Sequence, residues 1–508
     1  MATRGDIPEG YAAQSEGEAT ILQKGNEVFY NPAQVVNRDL SIAVINYFEK
    51  VRKTETFKPS RLQRSKGVPN REEGLRILEG LAASGLRSIR YAKEVNNVKH
   101  ITANDLDPEV VEMMKKNIEF NGADVAQKVQ PSVGDARMVM LQNPGAFDVV
   151  DLDPYGSPCT LLDSAVSCVS EGGILLCTAT DMAVLCGNNG EAGYAKYGAY
   201  PLHKPYCHEQ AIRILLSSIS TAAARHKRHI VPVLSLSIDF YVRVFVRIYT
   251  SPAEAKNTAL KHSYVFQSQG CDSFELMQVG RVFERGNSKK YGAGFGPPVQ
   301  QKCPETGASY TVGGPIWSEP IHNKEWIEGV LEVLQENKEK FKSFDKVRGI
   351  LVNCSEELSD VPLYLDLHEA CKTLRASIPR QEAFKSAIIN AGYRASPTHC
   401  LRTGIKTDAP WALIWDILRC WVKEHPVNVK EGSHAHTILS KDPVHIADFS
   451  RVSAAIIPDK KGKNKIARFV GNPERWGPKT KHGRIIKEPV EKKQKTENGN
   501  GVDKNTSD

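Results

Sequence analysis

The sequence predicts an α/β fold, with a parallel, doubly wound sheet in the first half of the chain and a mixed α+β domain in the second half. Short apolar runs alternate with helical stretches from Gly74 to about residue 260, which is typical of a parallel sheet covered by helices. Beyond about Lys261 the order changes to neighbouring strands followed by several helices. We therefore expect domains at 1–260 and 261–457 and a basic, flexible tail at 458–508.

The elements of the first domain follow from local patterns. Asn31 and Pro32 suit the N-cap and first turn of a helix that should run from Ala33 to about Val51. Apolar runs after it predict strands, with amphipathic helices between them. The predicted strands are LRILEG (75–80), HITAND (100–105), one within KVQPSVGDA (128–136), FDVVDLDP (147–154), GGILLCTATD (172–181), VPVLSLSI (231–238) and YVRVFVRIYT (241–250). The predicted helices are GLRSIRYAKEV (85–95), PEVVEMMKKNIEF (108–120), PCTLLDSAVSCV (158–169) and HEQAIRILLSSISTAAARHK (208–227).

The second domain has a different pattern. YVFQSQG (264–270) and SFELMQVGRVF (273–283) predict antiparallel strands. Four later stretches have apolar residues at helical spacing. They are KEWIEGVLEVLQENKEKF (324–341), LYLDLHEACKTL (363–374), QEAFKSAIINAG (381–392) and PWALIWDILRCWVKEH (410–425).

Composition excludes several classes of protein. Of the 508 residues, 41% are hydrophobic and 25% charged, which is ordinary globular usage rather than that of a disordered chain or a fibre. No stretch approaches the roughly 20 apolar residues that span a bilayer, so we expect no membrane association. The N-terminus has neither an apolar core with a cleavage site nor an Arg-rich transit pattern. The 11 cysteines are scattered without any CxxC pair, which favours reduced thiols in the cytosol or nucleus.

The positive charge is concentrated in the tail. The net charge is +8, and residues 458–508 hold 14 of the basic and 7 of the acidic residues. Such a tail suggests a polyanionic partner or a nuclear import receptor, or a segment that only aids solubility. The runs at 460–463 and 492–495 are candidate import signals. The loop at 53–72 is also basic and is a second candidate for RNA contact.

Successive strands of the first domain end in chemistry-bearing residues. Gly80 and Gly85 bracket small residues where the first strand turns into a helix, so a ligand can approach the backbone there. The second strand ends in Asp105, which is placed to accept hydrogen bonds from both ribose hydroxyls. The third ends in Asp135 and Ala136, where a carboxylate could accept from an adenine amine. A nucleotide-like cofactor is therefore expected, and the missing P-loop lysine motif argues against phosphoryl transfer.

The fourth strand ends in Asp153-Pro154-Tyr155-Gly156, which suits methylation of a base amine. The nitrogen lone pair of such an amine is delocalised into the ring, so the site must hold the amine with acceptors and aim the lone pair at a methyl donor. Asp153 and the carbonyl of Pro154 can act as acceptors, and Tyr155 can stack on an extruded base. Positioning should supply most of the rate gain. The motif favours S-adenosyl-L-methionine over a dinucleotide as the cofactor.

These residues resemble the tRNA guanine-26 N2-dimethyltransferases, in the form of a eukaryotic member. The resemblance covers about Glu16 to Val422. The segments that carry it are EGEATIL (16–22), VFYNPAQVVNRDLSIAVI (28–45), LEGLAASGLRSIRYAKE (78–94), NDLDPEVVEMMKKNIEFN (104–121), DLDPYGSP (151–158), YCHEQAIRILL (206–216), GGPIW (313–317) and THCLRTGIKTDAPWALIWDILR (398–419). It implies a class I S-adenosylmethionine-dependent methyltransferase domain with a Rossmann-like sheet, and a C-terminal domain that grips tRNA.

The resemblance also implies roles for individual residues. Asp105 would bind the ribose, and Asp135 with the Ala136 amide would bind the adenine edge. Arg38 and Arg87 would meet the methionine carboxylate. Asp153 would be catalytic, holding the guanine amine and taking its proton after the base has been flipped out of the tRNA.

The sequence departs from the family at a metal site. Many relatives carry four zinc-binding cysteines, part of them in a CPxCG segment, whereas here the segment reads Cys303-Pro304-Glu305-Thr306-Gly307. Cys271 is the only other cysteine nearby, and a structural zinc site needs four ligands. We expect no structural zinc. Cys207 with His208, and His434 with His436, are also poorly spaced for a metal, so the metal prediction is none.

Other functions remain open at this point. Another nucleic-acid amino-methyltransferase would usually have a second proline in place of Tyr155. A noncatalytic tRNA-binding or tRNA-folding protein would not need Arg38, Asp105 and Asp153. We expect a nuclear location, with the cytoplasm or mitochondria as alternatives.

Overall fold

The computed structural model of the protein describes residues 7–23, 30–55, 73–286, 288–456 and 466–471. All of them fall in one compact unit, Met1–Gly477. The domain boundary at residue 261 therefore stays a prediction. The described residues do not include 56–72 of the basic loop or most of the tail. The candidate import signals at 460–463 and 492–495 also lie outside them. Within the described ranges, no helix combines the length and apolarity needed to span a membrane.

A hairpin and a long helix precede the main sheet. Strands β1 (Ala12–Glu16) and β2 (Ala19–Gln23) pair antiparallel. The Asn31 side chain accepts a hydrogen bond from the Ala33 amide at 3.0 Å, and helix α1 (Val35–Thr54) follows. The predicted helix start is confirmed, because Asn caps the first turn and Pro32 fits within it. Most of α1 is buried, so its polar residues face the interior.

The central sheet has seven strands in the order β5-β4-β3-β6-β7-β9-β8. Every strand predicted in the first half of the chain is present. The elements are β3 (Leu75–Glu79), α2 (Leu86–Glu94), β4 (Val98–Asp105), α3 (Pro108–Phe120), α4 (Ala123–Lys128), β5 (Val129–Val133), α5 (Ala136–Gln142), β6 (Phe147–Leu152), α6 (Leu162–Cys168), β7 (Val169–Ala179), α7 (Met182–Leu185), α8 (Gly190–Tyr197), α9 (Cys207–Arg225), β8 (Arg228–Ile238) and β9 (Tyr241–Thr250). The strand order reverses between β3 and β6, which is where an open α/β sheet binds its ligand.

The alternating pattern predicted a parallel sheet, but one strand of the observed sheet is antiparallel to its neighbours. β9 runs antiparallel to both of its neighbours, β7 and β8. Only Asp239 and Phe240 separate β8 from β9, and so short a connection can join only antiparallel strands. Val242 pairs with Ala179, the last residue of β7. The reversal therefore brings the first residues of β9 to the carboxyl edge of the parallel strands.

Helices cover both faces of the sheet. Ile77 and Leu78 are neighbours on β3 and are both fully buried, yet they belong to different apolar clusters. Ile77 packs in the cluster that includes Phe48 of α1, and Leu78 packs in the one that includes Ile212 of α9. Alternate residues of a strand point to opposite faces, so apolar strands without alternation need cover on both sides.

The second half is mixed α+β, as predicted, with three small antiparallel sheets. Its elements are α10 (Pro252–Ala255), β10 (His262–Ser268), β11 (Phe274–Gln278), β12 (Gly280–Arg285), β13 (Ser288–Ala293), β14 (Tyr310–Trp317), α11 (Lys324–Glu336), α12 (Phe344–Glu356), β15 (Leu365–Asp366), α13 (Leu367–Leu374), α14 (Gln381–Asn390), β16 (Ala395–Pro397), β17 (Gly404–Thr407), α15 (Trp411–Glu424) and α16 (His434–Leu439). The run SFELMQVGRVF is divided at Val279 between two sheets. α11 packs on α1, with the Trp326 and Tyr47 rings edge to face at 5.1 Å.

Candidate active site

The carboxyl edge of the parallel strands collects the acidic residues that the sequence singled out. Glu79, the last residue of β3, pairs with Asp151 of β6, and Asp105 ends β4. Asp135 follows β5 closely, and Asp153 follows β6 directly. Because parallel strands end on the same side of a sheet, Asp105, Asp135 and Asp153 share one edge, as expected. Glu79 and Asp151 lie at the same edge and were not predicted.

Gly80 and Gly85 are required by close packing at the turn after β3. The Gly80 amide donates to the Asp151 carbonyl at 3.0 Å, and a Cβ at Gly80 would lie 2.9 Å from Leu152 Cδ2. Gly85 caps α2 with a φ of +76°, and a Cβ there would lie 2.7 Å from Met114 Cγ. Larger residues would push this turn away from the sheet edge and from the start of α2.

Asp105 ties the end of β4 to this glycine turn. Its Oδ2 accepts a hydrogen bond from the Ala83 amide at 2.9 Å, and its Oδ1 accepts one from the Asp107 amide at 3.2 Å. A carboxylate has about four acceptor positions, so two backbone bonds leave capacity for hydroxyl donors. The residue is therefore held in place and still able to accept from a ribose.

Asp135 is the N-cap of α5 and is already engaged by its neighbour. It accepts from the Arg137 amide at 2.8 Å and from the Arg137 guanidinium, with Nη2 to Oδ2 at 2.5 Å. These hydrogen bonds lower the pKa of Asp135. Ala136 is buried at the first position of the helix. The Arg137 side chain would have to share Asp135 with an adenine amine.

Arg38 is paired with a buried acid that sequence reasoning did not single out as a site residue. Its Nε and Nη2 donate to the two carboxylate oxygens of Glu16 at 2.6 and 2.5 Å, and Arg90 also contacts Glu16 at 2.8 Å. Burial would raise the pKa of Glu16, but the hydrogen bonds and charges of the two arginines bring it to about 2. Glu16 thus fixes the position of Arg38 through a bidentate pair.

Arg87 contacts the predicted catalytic residue. Its Nη2 donates to Asp153 Oδ2, and its Nη1 donates to Asn37 Oδ1 at 2.9 Å and lies 3.4 Å from Asp151 Oδ2. The Arg87 side chain is buried, whereas the Asp153 side chain is 18% exposed. The buried guanidinium therefore orients a carboxylate that reaches solvent.

Arg87 belongs to a larger cluster of buried charges, which we name the edge network. Its members are Glu79, Arg87, Asp151, Asp153 and Arg243. Asp151 is held by Arg243 at 3.0 Å and by the Tyr91 hydroxyl at 2.5 Å. Burial would raise the pKa of Asp151, but Arg243 and Arg87 lower it overall.

Glu79 has the opposite protonation preference. Burial raises the pKa of Glu79 to about 8, against the lowering effects of Arg87 and of the Ser88 hydroxyl. Glu79 is therefore largely protonated near neutral pH. The charges of Arg87 and Arg243 are then balanced by Asp151 and Asp153, which is the pairing that a buried cluster needs.

The Asp153-Pro154-Tyr155-Gly156 loop is pinned to the end of the neighbouring strand. The Gly156 amide donates to Thr180 Oγ1 at 2.7 Å, and the Thr180 amide donates to the Gly156 carbonyl at 2.9 Å. Pro154 is buried, and the Tyr155 side chain is 59% exposed. A fixed loop thus presents an aromatic ring beside the Asp153 carboxylate.

Comparison with known proteins agrees with this arrangement. The pattern that defines N2,N2-dimethylguanosine tRNA methyltransferases matches residues 10–419. The chain belongs to this family.

Relatives cover nearly the whole of the family member described here. The tRNA (guanine(26)-N(2))-dimethyltransferase 1 of Arabidopsis thaliana is 48% identical over 94% of this chain and 89% of its own. The human tRNA (guanine(26)-N(2))-dimethyltransferase is 42% identical over 92% of this chain and 77% of its own. The structure of Trm1 from Pyrococcus horikoshii with S-adenosyl-L-methionine is 27% identical, with a TM-score of 0.64, over 80% of this chain and 99% of that chain. The predicted family and the class I methyltransferase fold are confirmed.

Several buried residues in contact with the candidate site residues, or close to them, were missed by sequence reasoning. They are Glu16, Glu79, Tyr91, Asp151, Tyr241 and Arg243. A weak signal existed, because Asp151 and Arg243 interrupt apolar strands, and charges at such positions must be paired. The Tyr241 hydroxyl is buried with no hydrogen-bond partner among the described residues.

Cys271 and Cys303, the two cysteines at the position of the relatives' zinc site, lie together in a buried cluster. Cys271 Sγ and Cys303 Sγ are 3.7 Å apart, and the Ser268 and Ser273 hydroxyls lie 3.4 Å from Cys271 Sγ. Two thiols are fewer than the four ligands of a structural zinc site. The absence of zinc stays a prediction.

Among the described residues, two further groups each contain three possible metal-ligand atoms that lie within 4.8 Å of one another. They are Cys186 with Cys207 and His208, and His322 with Cys354 and His399. Each group offers three donors, and His399 Nδ1 is already hydrogen-bonded to Glu357 at 2.8 Å.

Proposed function

We propose that this protein transfers methyl groups from S-adenosyl-L-methionine to the exocyclic N2 of guanine 26 in tRNA. The products are N2-methylguanosine and N2,N2-dimethylguanosine. Family membership and the named activity of its relatives support the reaction. The observation that carries the mechanism is the position of Asp153, at the point where the strand order reverses. Buried Arg87 donates a hydrogen bond to its carboxylate, and the Asp153 side chain is partly exposed to solvent.

The residues at the sheet edge fit the cofactor. Asp105 has acceptor capacity for two ribose hydroxyls, and the Gly80–Gly85 turn has no room for a Cβ at either glycine. Asp135 and the Ala136 amide would bind the adenine edge. The carboxylate of the methionine moiety would be bound by Arg38 and Arg87, each sharing its guanidinium with the acid it already holds.

In the reaction, Asp153 accepts a hydrogen bond from the guanine amine and fixes the direction of its lone pair. S-adenosyl-L-methionine supplies the electrophilic methyl group when bound. When the nitrogen forms its bond to the methyl carbon, the carbon–sulfur bond of the donor would break and S-adenosyl-L-homocysteine would leave. Asp153 would take the proton that the amine loses. The Pro154 carbonyl is the second acceptor, and the Tyr155 ring stacks on the flipped guanine. The monomethylated amine still carries one N–H, so the same carboxylate can direct a second transfer.

The test incubates the purified protein with labelled S-adenosyl-L-methionine and an unmodified tRNA transcript, followed by digestion to nucleosides. Label in N2-methyl- and N2,N2-dimethylguanosine supports the proposal, and a transcript with adenine at position 26 is the matched control. Label in another nucleoside would indicate a different amino-methyltransferase. Bound tRNA without label would indicate the noncatalytic binder.

Asp153→Asn separates two parts of the mechanism. Asparagine keeps one oxygen acceptor but cannot take a proton, so binding of tRNA should persist while methyl transfer is lost. Equal rates for Asp153→Asn and the native protein would show that proton transfer to Asp153 is not part of the reaction.

We also propose that the protein acts in the nucleus, guided by the basic runs of its tail. A relative from Saccharomyces cerevisiae, 34% identical over 93% of this chain, is named as mitochondrial. Imaging of the tagged full-length chain, with and without residues 458–508, distinguishes the two compartments. Nuclear signal that depends on the tail supports the proposal.

A further inference from the structure

The β12–β13 hairpin stands apart as a two-stranded sheet of its own. Its register pairs Arg281 with Gly292, Val282 with Tyr291, and Phe283 with Lys290. Because alternate residues of a strand point to opposite faces, the side chains of Arg281, Phe283 and Lys290 share one face. Val282, Glu284, Lys289 and Tyr291 share the other.

The face with Arg281 is basic and aromatic. The Arg281 guanidinium carbon lies 3.8 Å from the centre of the Phe295 ring and 5.8 Å from that of Phe283. Phe295 is 74% exposed, and Phe283 and Lys290 are exposed as well. We name Arg281, Phe283, Lys290 and Phe295 the hairpin's outer face.

The opposite face is attached to the body of the protein. The Tyr291 hydroxyl donates to Asn257 Oδ1 at 2.9 Å, and a Cβ at Gly280 would lie 2.8 Å from the Ala259 Cβ. Glu284 stands opposite Lys289 in the register, so charges on this side are matched. These two contacts join the hairpin to the body of the protein on the side opposite the outer face.

The charges of the outer face are unmatched. Arg281 and Lys290 form no ion pair within the described part of the chain, and Arg281 Nε is buried there without a hydrogen-bond partner. Cation–π stacking fixes the plane of the Arg281 guanidinium, and its terminal N–H groups are the ones that can reach a ligand. Available cations beside exposed rings suit a partner with phosphates and unstacked bases.

We propose that the outer face of the hairpin is a docking surface for tRNA. Arg281 and Lys290 contact phosphates, and Phe295 or Phe283 stacks on an unpaired base. This inference rests on the proposed function, because it assigns to one surface the grip on the substrate that the reaction requires. It commits to RNA because an apolar protein partner would leave both cations desolvated and unpaired.

The test measures the affinity for an unmodified tRNA transcript over a range of salt concentrations. Phe283→Ala/Phe295→Ala should weaken binding roughly ten-fold, since one stacked base is lost. Lys290→Ala should lower the slope of log Kd against the logarithm of salt concentration by roughly 0.7 to 0.9, as expected for one lost phosphate contact. Lys289→Ala, next in sequence but on the attached face, is the matched control and should leave the slope unchanged.

Two further measurements separate contact from misfolding. Phe295→Leu keeps an exposed apolar side chain but removes the ring, and it should weaken tRNA binding while thermal unfolding stays unchanged. Calorimetric binding of S-adenosyl-L-methionine should be the same in every hairpin variant. Native tRNA affinity in the Phe283→Ala/Phe295→Ala protein would overturn the inference and point to another partner for this face.

The outcomes distinguish this inference from the proposed function. Methylation of guanine 26 with native tRNA affinity in all hairpin variants would leave the function standing and remove the docking surface. Weakened tRNA binding in the outer-face variants, without any methylguanosine from the native protein, would support the surface and overturn the function.

Discussion

Two networks of paired, buried charged side chains in this protein differ in whether they reach solvent. The edge network reaches solvent at Asp153, whose side chain is 18% exposed. A second cluster, named the inner network, joins α9 to the second half of the chain without reaching solvent. Its members are Glu209, Arg213, Glu357, His399 and Lys406.

The side chains of the inner network are paired with one another and do not reach solvent. Lys406 Nζ lies 3.0 Å from Glu209 and 2.9 Å from Glu357, and all three side chains are fully buried. Burial would lower the pKa of Lys406, but the two carboxylates raise it overall. The comparison teaches that buried charge pairs alone do not mark an active site. The candidate site differs in that its carboxylate, Asp153, is held by buried Arg87 and also reaches solvent.

The largest expected effect is on the rate of methyl transfer and concerns Asp153, the partly exposed member of the edge network. Asp153→Ala removes both the acceptor for the amine and the proton acceptor, so kcat for methyl transfer should fall by at least about 10³-fold. Single-turnover transfer of labelled methyl to unmodified tRNA measures it. Asp163→Ala, at a surface acid paired with Arg225, should keep native kcat. More than a tenth of native turnover in Asp153→Ala would contradict the assignment.

The next largest expected effect concerns the inner network. Lys406→Met leaves Glu209 and Glu357 buried without their shared cation, so the free energy of unfolding should fall by about 3–5 kcal/mol. Urea unfolding measures it. Lys372→Met, at an exposed cation paired with Glu369, should change it by less than about 0.5 kcal/mol. Loss of S-adenosyl-L-methionine binding in folded Lys406→Met would contradict a purely structural role.

A smaller effect concerns the protonation of Glu79. Its pKa is about 8 in the folded protein and near 4.5 in the unfolded chain, so the folded state holds an extra proton between those values. The stability that this proton contributes is present below about pH 4.5 and is lost as pH rises through 8. Glu79→Gln mimics the protonated form, so its melting temperature should fall less than the native one between about pH 6 and pH 9.

The control for that experiment is Glu284→Gln, at an exposed hairpin position. Its melting temperature should follow the native pH dependence. If Glu79→Gln also follows the native curve, Glu79 is ionised in the folded protein and the edge network carries one more negative charge than we infer.

The smallest effect concerns the backbone beside the edge network. Alanine at Gly85 should cost about 1–2 kcal/mol of unfolding free energy for its positive φ, and more for the contact with Met114. Gly145→Ala has a similar φ of +67° with nothing within 4 Å, so it measures the backbone cost alone. Denaturant unfolding of both variants gives the difference. Equal losses would mean that Met114 moves aside.

Much of the first half could be predicted from sequence because its signals are local. The strand ends carry Asp105, Asp135 and Asp153, and parallel strands necessarily end at one edge, so their meeting place followed from order alone. The reversed β9 was missed because apolar periodicity does not encode strand direction. The division of SFELMQVGRVF between two sheets was missed because pairing partners of that run are distant in sequence.

The family, the strands of the central sheet and the edge where the carboxylates gather could all be predicted from sequence, since they depend on local pattern and chain order. The pairing of the charges could not be predicted, because it depends on how distant parts of the chain pack together. Arg38 meets Glu16, and Arg87 meets Asp153, across long separations in the chain. The protonation of Glu79 was decided in the same way, because the pKa of a buried group depends on the field and the burial around it rather than on its neighbours in sequence.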